Sequence, residues 1–260
     1  MKFYPKPKKY MGQNFLKDTS VAEEIVDLAG ISENDYVIEI GGGTGVITEK
    51  LSTKASVFEQ LDVYELDSKL SKLLADKFET YKNIRVLNEN ILDASFPVLN
   101  NIKIIGAIPY NITSPIIHKI LELKARPVKV VLMIQKEVAT KISSKQPKAN
   151  YWSAATLGYD IKYEFKVPAD SFYPSPKVDS AVITMTLDEE DFEILKRIGF
   201  KKWSRFLHMV FKNPRKKLRN SGLPEESMKK AGIDVNLRPQ NLEKQQLINL
   251  YDIISSNLNK

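Results

Sequence analysis

Two stretches of the chain carry residue types that could do chemistry. The first is Val37-Ile38-Glu39-Ile40-Gly41-Gly42-Gly43-Thr44-Gly45, an apolar run that ends in G-x-G-x-G. Glycines at such a turn let backbone approach a bound nucleotide. Glu65 stands 20 residues beyond Gly45, at the end of the next apolar run. A carboxylate in that place can accept both hydroxyls of a ribose. Dinucleotide sites read G-x-G-x-x-G, whereas the third position after Gly43 is Val46. That disfavours a dinucleotide oxidoreductase and favours the glycine loop of an S-adenosylmethionine enzyme. An ordinary turn would explain the glycines alone, but not the strand before them, the helix after them and Glu65 together.

The second stretch is Ala107-Ile108-Pro109-Tyr110-Asn111-Ile112-Thr113-Ser114-Pro115. It follows another apolar run. In an open parallel sheet, ligands bind at the carboxyl ends of the strands, so this loop is expected to face the reactive end of a cofactor. Tyr110 offers a flat face for a purine. Pro109 stiffens the loop and leaves neighbouring carbonyls free as acceptors. An aromatic beside prolines is more often simple packing, so the residues alone leave stacking open.

The elements that must position these loops follow from hydrophobic patterning. Short apolar runs at Tyr36–Ile40, Leu61–Leu66, Ile84–Leu87, Lys103–Gly106 and Val128–Ile134 read as buried parallel strands. Helical patterns at Val21–Ala29, Val46–Leu51, Lys69–Phe78 and Pro115–Leu123 lie between or before them, with Asp18-Thr19-Ser20 as an N-cap for the first. The alternation predicts an α/β fold with a mostly parallel, doubly wound sheet. A proline-punctuated loop at Pro168–Pro176 precedes Val178–Leu187, whose alternation reads as a late, partly exposed strand. After Asp188-Glu189-Glu190-Asp191 the pattern turns helical and basic. The expected division is residues 1–188 for a cofactor domain and 189–260 for a basic all-helical domain.

Composition narrows the chemistry. The 260 residues contain no cysteine and two histidines, His118 and His208, far apart in sequence. Disulfides and thiolate metal sites are excluded, no metal site is expected, and a histidine-dependent triad is disfavoured. No apolar run reaches 18 residues, and the N-terminal segment lacks the apolar core of a secretory signal, so neither membrane nor secretion is expected. A cytoplasmic home fits. The net charge is +7, which favours a polyanionic partner, nucleic acid before anionic membrane. From Lys201 to Asn220 there are eight basic residues and no acidic one, with Trp203, Phe206 and Phe211 interleaved. A solvated basic face would normally mix signs. The aromatics read as core of the helical domain rather than as base platforms. Lys2, Lys6, Lys8 and Lys9 add charge near the start.

Seven stretches, in order, resemble one family: MGQNFL at Met11–Leu16, EIGGGTG at Glu39–Gly45, YELD at Tyr64–Asp67, IPYNITSP at Ile108–Pro115, MIQKEVA at Met133–Ala139, FYPSPKVDSAV at Phe172–Val182 and NPRKKLRN at Asn213–Asn220. The chain resembles the ribosomal RNA small-subunit adenine N6,N6-dimethyltransferase family, the KsgA type, from about residue 8 to the end. The resemblance implies a Rossmann-like class I methyltransferase sheet with a small C-terminal helical domain. It implies S-adenosyl-L-methionine as cofactor and a monomeric enzyme. The implied substrate is the small ribosomal subunit, at two adjacent adenosines near the 3′ end of its 16S rRNA. Gln13, Asn14 and Leu16 would cover the cofactor; Gly41 and Gly43 would meet its amino-acid portion; Glu65 with Leu66 would hold the ribose side. Asn90 stands where the family has Asp near the adenine amino group, which implies a weakened or altered contact. Tyr110 and Phe172 would sandwich a flipped adenine. Lys201, Lys202, Arg205, Arg215, Lys216, Lys217 and Arg219 are the candidate phosphate contacts.

One position departs from the family pattern. The motif N-[LI]-P-[YF] has Ala107 in first place here. In the family, the side-chain oxygen of that residue and the carbonyl of the next hold the adenine N6 hydrogens and touch the cofactor. Ala107 has no such oxygen, so only the Ile108 carbonyl remains. Loss of one positioned polar group costs about 3 kcal/mol, roughly a hundredfold in rate. An engineered knockout, a natural variant that uses another acceptor such as Asn111, and a lineage that kept RNA binding without the chemistry all fit the substitution. The large-subunit rRNA adenine methylases and a non-catalytic RNA-binding assembly factor are the alternatives in function.

Overall fold

The computed structural model describes residues 5–144 and 149–258; Lys2 of the N-terminal basic group lies outside them. The chain forms two compact units, one of residues up to Ala139 plus Asp160–Leu187, the other of Thr140–Tyr159 plus Asp188 onward. The second unit therefore takes in a segment from the middle of the chain as well as its C-terminal part.

In the first unit, short apolar runs become strands because both faces of the sheet are covered. The chain enters through β1 (Phe15–Leu16) and α1 (Thr19–Ala29), capped by Asp18, whose side chain accepts from the Ser20 N–H. It continues through β2 (Tyr36–Ile40), α2 (Val46–Ser52), β3 (Gln60–Tyr64), α3 (Ser68–Phe78), β4 (Ile84–Leu87), β5 (Ile102–Ala107), α4 (Thr113–Glu122) and β6 (Lys129–Gln135). α5 (Lys136–Ile142) runs into the second unit, which holds α6 (Tyr151–Ala155), and the chain returns to the first with β7 (Tyr159–Val167), β8 (Phe172–Tyr173) and β9 (Ser180–Leu187). The large sheet has the order β4-β3-β2-β5-β6-β9-β7. β4, β3, β2, β5 and β6 are parallel, and β9 runs antiparallel to β6. The order turns back between β2 and β5, so the sheet is doubly wound. Right-handed crossovers place α2 and α3 on one face and α4 on the other. Ile25, Val26, Leu51, Leu74 and Val63 fill the first side of the core, and Ile116, Ile117 and Ile120 supply α4's share of the second.

β9 corrects the expectation of a partly exposed strand. Val182 and Thr184 are as buried as Ala181, Ile183 and Met185, because β9 lies inside the sheet, between β6 and β7. A second, two-stranded sheet pairs β1 with β8 and sets Leu16 opposite Phe172 and Phe15 opposite Tyr173. It ties the N-terminal segment to the proline-rich loop.

The second unit is helical, with α7 (Glu189–Ile198), α8 (Phe200–Val210), α9 (Glu225–Lys230) and α10 (Lys244–Leu258). Trp203 and Phe206 are core residues packed on Tyr251, and the Trp203 indole N–H donates to the Ala154 carbonyl at 2.9 Å. Arg197 makes a two-bond ion pair with Asp252. Among the described residues, no helix is long and apolar enough to cross a membrane.

Candidate active site

The carboxyl ends of β2, β3 and β5 open onto a cavity of about 290 Å³. Its walls come from the Gly12–Leu16 segment, the glycine loop, the end of β3, the Glu89–Ile91 loop, the Ala107–Ile112 loop, Phe172 and Ser180. Every residue that the sequence proposes for cofactor or base lines this one cavity: Gln13, Asn14, Leu16, Gly41, Gly43, Glu65, Leu66, Asn90, Ala107, Ile108, Pro109, Tyr110 and Phe172.

The glycine loop is tied to the tip of β3. Gly41 N–H donates to the Tyr64 carbonyl at 2.8 Å, and Gly43 N–H donates to Glu65 Oε2 at 2.8 Å. Gly43 holds a φ of +55°, which disfavours any side chain there. The second Glu65 oxygen accepts from the Asp67 N–H at 2.8 Å. Glu65 is buried, and burial raises its pKa in spite of these two donors. Each oxygen accepts one hydrogen bond and has capacity for another, so the carboxylate is held in place rather than spent.

The N-terminal segment that lines the cavity, here called the strap, is braced at the same place. Gln13 donates its amide N–H to Asp67 Oδ2 at 3.0 Å, its carbonyl oxygen accepts from the Lys8 N–H at 2.7 Å, and Lys8 Nζ lies 2.9 Å from the same Asp67 oxygen. Gln13 thus fastens the strap to the head of α3. Asn14 donates to the Gly12 carbonyl at 3.2 Å. Asn90 is used locally: its oxygen accepts from the Leu92 N–H at 3.1 Å and its amide donates to Asp93 at 2.8 Å. Asn88, two residues earlier, donates to the carbonyls of Glu65 and Leu66 and holds the β3 tip.

The base-facing end is built differently. Ala107 ends β5 opposite Met133 and offers no side-chain polar atom. Among the described residues, the Ile108 carbonyl accepts no backbone hydrogen bond, so it is available. The Tyr110 hydroxyl and Ser180 Oγ are 2.6 Å apart, which fixes the ring; burial raises the Tyr110 pKa. Phe172 is buried and held in the β1–β8 pair. The Asn111 side-chain oxygen, Oδ1, crowds Gly12, 2.8 Å from where a Cβ would stand.

Sequence reasoning passed over Glu39. It is 1% exposed and lines the cavity. Thr48 Oγ1 donates to its Oε2 at 2.7 Å. Burial pushes its carboxyl up to about 8. The available signal was a lone acid inside an apolar run, two residues before Gly41. No group of acids or histidines able to hold a metal occurs among the described residues.

In the second unit, Lys201, Lys202, Arg205, Arg215, Lys216, Lys217 and Arg219 are all exposed, and none of them joins a salt bridge among the described residues.

A doubly wound sheet with one antiparallel strand, a glycine turn after β2 and an acid at the tip of β3 define a class I methyltransferase. The chain belongs to the ribosomal RNA adenine dimethylase family, whose sequence profile matches residues 5–256. It is 34% identical over 264 residues to the ribosomal RNA small subunit methyltransferase A of Sulfurihydrogenibium sp. YO3AOP1, covering 96% of this chain and 97% of that one. The corresponding protein of Mycoplasma capricolum is also 34% identical, with 96% and 98% coverage. Among solved structures, the 23S rRNA methyltransferase ErmE superposes with a TM-score of 0.74 at 26% identity, covering 93% of this chain and all of that one. A dimethyladenosine transferase from Plasmodium falciparum has the same fold, with a TM-score of 0.77 at 23% identity and coverage of 91% and 95%.

Proposed function

We propose that this protein transfers methyl groups from S-adenosylmethionine to N6 of adenosine in small-subunit ribosomal RNA, two per base. The single observation that carries the reading is the convergence of the glycine loop, Glu65, Tyr110 and Phe172 on one cavity of cofactor size. Family membership and the names of the small-subunit relatives support the substrate.

The residues present fit the cofactor. Glu65 can accept the ribose hydroxyls while Gly43 and Asp67 hold it in place. Leu66, half exposed at the rim, and Asn90 can meet the adenine. When bound, S-adenosylmethionine supplies an electrophilic methyl group on a sulfonium. Tyr110 and Phe172 stack on the target base, offsetting the few kcal/mol needed to unstack it from RNA. The Ile108 carbonyl accepts one N6–H and aims the nitrogen lone pair at the methyl carbon. Methyl transfer to N6 would leave one proton too many on that nitrogen, and water at the mouth of the cavity can take it. No protein base is required. The exposed basic residues of α8 and of the Arg215–Arg219 segment bind phosphate. We assign the enzyme to the cytoplasm, acting as a monomer on assembling small subunits.

Ala107 favours a second reading, in which the chain binds RNA and the chemistry is impaired. Incubation with labelled cofactor and immature small subunits, followed by nucleoside analysis, tests both. Labelled N6,N6-dimethyladenosine in small-subunit RNA supports the proposal. Binding with no label supports the second reading, and label in large-subunit RNA overturns the substrate assignment.

A further inference from the structure

The strap carries an aromatic ring that the fold does not bury. Tyr10 is 76% exposed, more than any other aromatic among the described residues, and it also lines the cavity. A side chain that does both stands at the cavity mouth. A ring left in water contributes little to folding, and the strap's other aromatic, Phe15, is packed into the core.

The ring stands on a braced support. Pro5 and Pro7 stiffen the backbone before it. Lys9–Met11 form a 3-10 turn, in which the Met11 N–H donates to the Lys8 carbonyl at 3.0 Å. On one side of the turn, Lys8 and Gln13 both hold Asp67. On the other side, Gly12 at a φ of +67° lies against Asn111 and Pro109 of the base-facing loop. The neighbours of Tyr10 are thus spent on the cavity walls, while Tyr10 itself is turned outward. A ring that served to cover the cofactor would be packed down, as Leu16 is on the same segment.

A base that flips out of a strand leaves its neighbours without a stacking partner. An aromatic side chain can replace that partner whatever the neighbour's identity, because every base has a π face. We propose that Tyr10 stacks on the nucleotide next to the target adenosine, at the mouth of the cavity that Tyr110 and Phe172 line deeper in. This contact rests on the rRNA reading above and adds to it a hold on the strand rather than on the target base. It binds RNA by stacking, whereas the basic residues of the second unit bind by charge, so the two differ in their response to salt.

The affinity of the full chain for immature small subunits, measured at several salt concentrations, tests the assignment. Binding is read rather than turnover, so the result does not depend on the chemistry left by Ala107. Tyr10→Ala should weaken binding by about tenfold with an unchanged salt slope, since no phosphate contact is lost. Tyr10→Phe keeps the ring and should stay within about twofold, and both variants should bind S-adenosylhomocysteine as the unaltered chain does. Unchanged subunit affinity in Tyr10→Ala would overturn the assignment. A loss of S-adenosylhomocysteine affinity of similar size would overturn it too, and make the ring a cover for the cofactor. Photo-crosslinking identifies the partner. With Tyr10 replaced by p-azidophenylalanine, the crosslink should fall on the nucleotide beside the adenosine methylated by this chain or by Ala107→Asn. A crosslink to a ribosomal protein, or to a distant stretch of RNA, contradicts the proposed contact. If the unaltered chain binds no immature subunits, or neither it nor Ala107→Asn methylates them, the rRNA reading itself fails and this contact with it.

Discussion

The two ends of the cavity are made to different standards. At the cofactor end, Glu65 is gripped by two backbone N–H groups, and the strap is fastened through Gln13, Lys8 and Asp67. At the base end, one aromatic is fixed by a single hydroxyl contact, another by a two-residue strand pair, and the polar group proposed to meet the base is a backbone carbonyl. In the proposed function the first end binds through a redundant polar network, whereas the second depends on shape and one acceptor. Binding of the cofactor and transfer of its methyl group should therefore separate under mutation.

The sharpest break of the cofactor end is Glu65→Ala. It removes the proposed ribose acceptor and strands the N–H groups of Gly43 and Asp67, so affinity for S-adenosylhomocysteine should fall by roughly a hundredfold. A loss under threefold would mean that the loop is held by other groups. Tyr110→Ala attacks the base end. Methyl transfer should fall by about tenfold or more, from a lost stacking contact of about 1–3 kcal/mol, while calorimetric affinity for S-adenosylhomocysteine stays within twofold. A matching loss of cofactor affinity would show that the two ends are coupled.

Glu39 gives the cofactor end a pH signature. Its carboxyl is raised from the ordinary value of 4.5 to about 8 in the folded chain, so the native state binds the extra proton across that range. Its contribution to folding stability therefore declines as pH rises from about 5 to 8. Glu39→Gln should flatten that slope and raise the melting temperature at pH 8 by a few degrees, with little change at pH 5. Tyr110→Phe is the mildest change. It deletes the contact to Ser180 for about 1 kcal/mol of stability and keeps the stacking face, so turnover should hold within about threefold. In the second unit, replacement of Arg215, Lys216, Lys217 and Arg219 by Ala should weaken RNA binding and flatten its salt dependence, without touching cofactor affinity.

Local patterning made the cofactor end readable. An apolar run closed by glycines, with an acid at the next strand end, needs no long-range information, and β2 spans the residues expected. The base end was readable only as a loop in the right place, since the Tyr110 ring is fixed through Ser180, 70 residues away. The β1–β8 pair was hidden for the same reason: two residues on each side carry no periodicity, and their partners are more than 150 residues apart. β7 alternates Tyr159, Ile161, Tyr163, Phe165 and Val167 with charged residues, a strand signal that the sequence expectation did not include. Glu39 was overlooked because an acid inside a buried strand contradicts the pattern around it. Such a conflict is itself a pointer to a site.

In the proposed function this cavity holds its cofactor fully while its chemistry is limited by one absent acceptor. Single-turnover methyl transfer to immature small subunits, measured on the unaltered chain and on Ala107→Asn beside their affinities for S-adenosylhomocysteine, tests it most directly. The account predicts a rate increase of about a hundredfold in the variant, with a far smaller change in affinity. Equal rates would contradict it and assign the missing acceptor's role to another group.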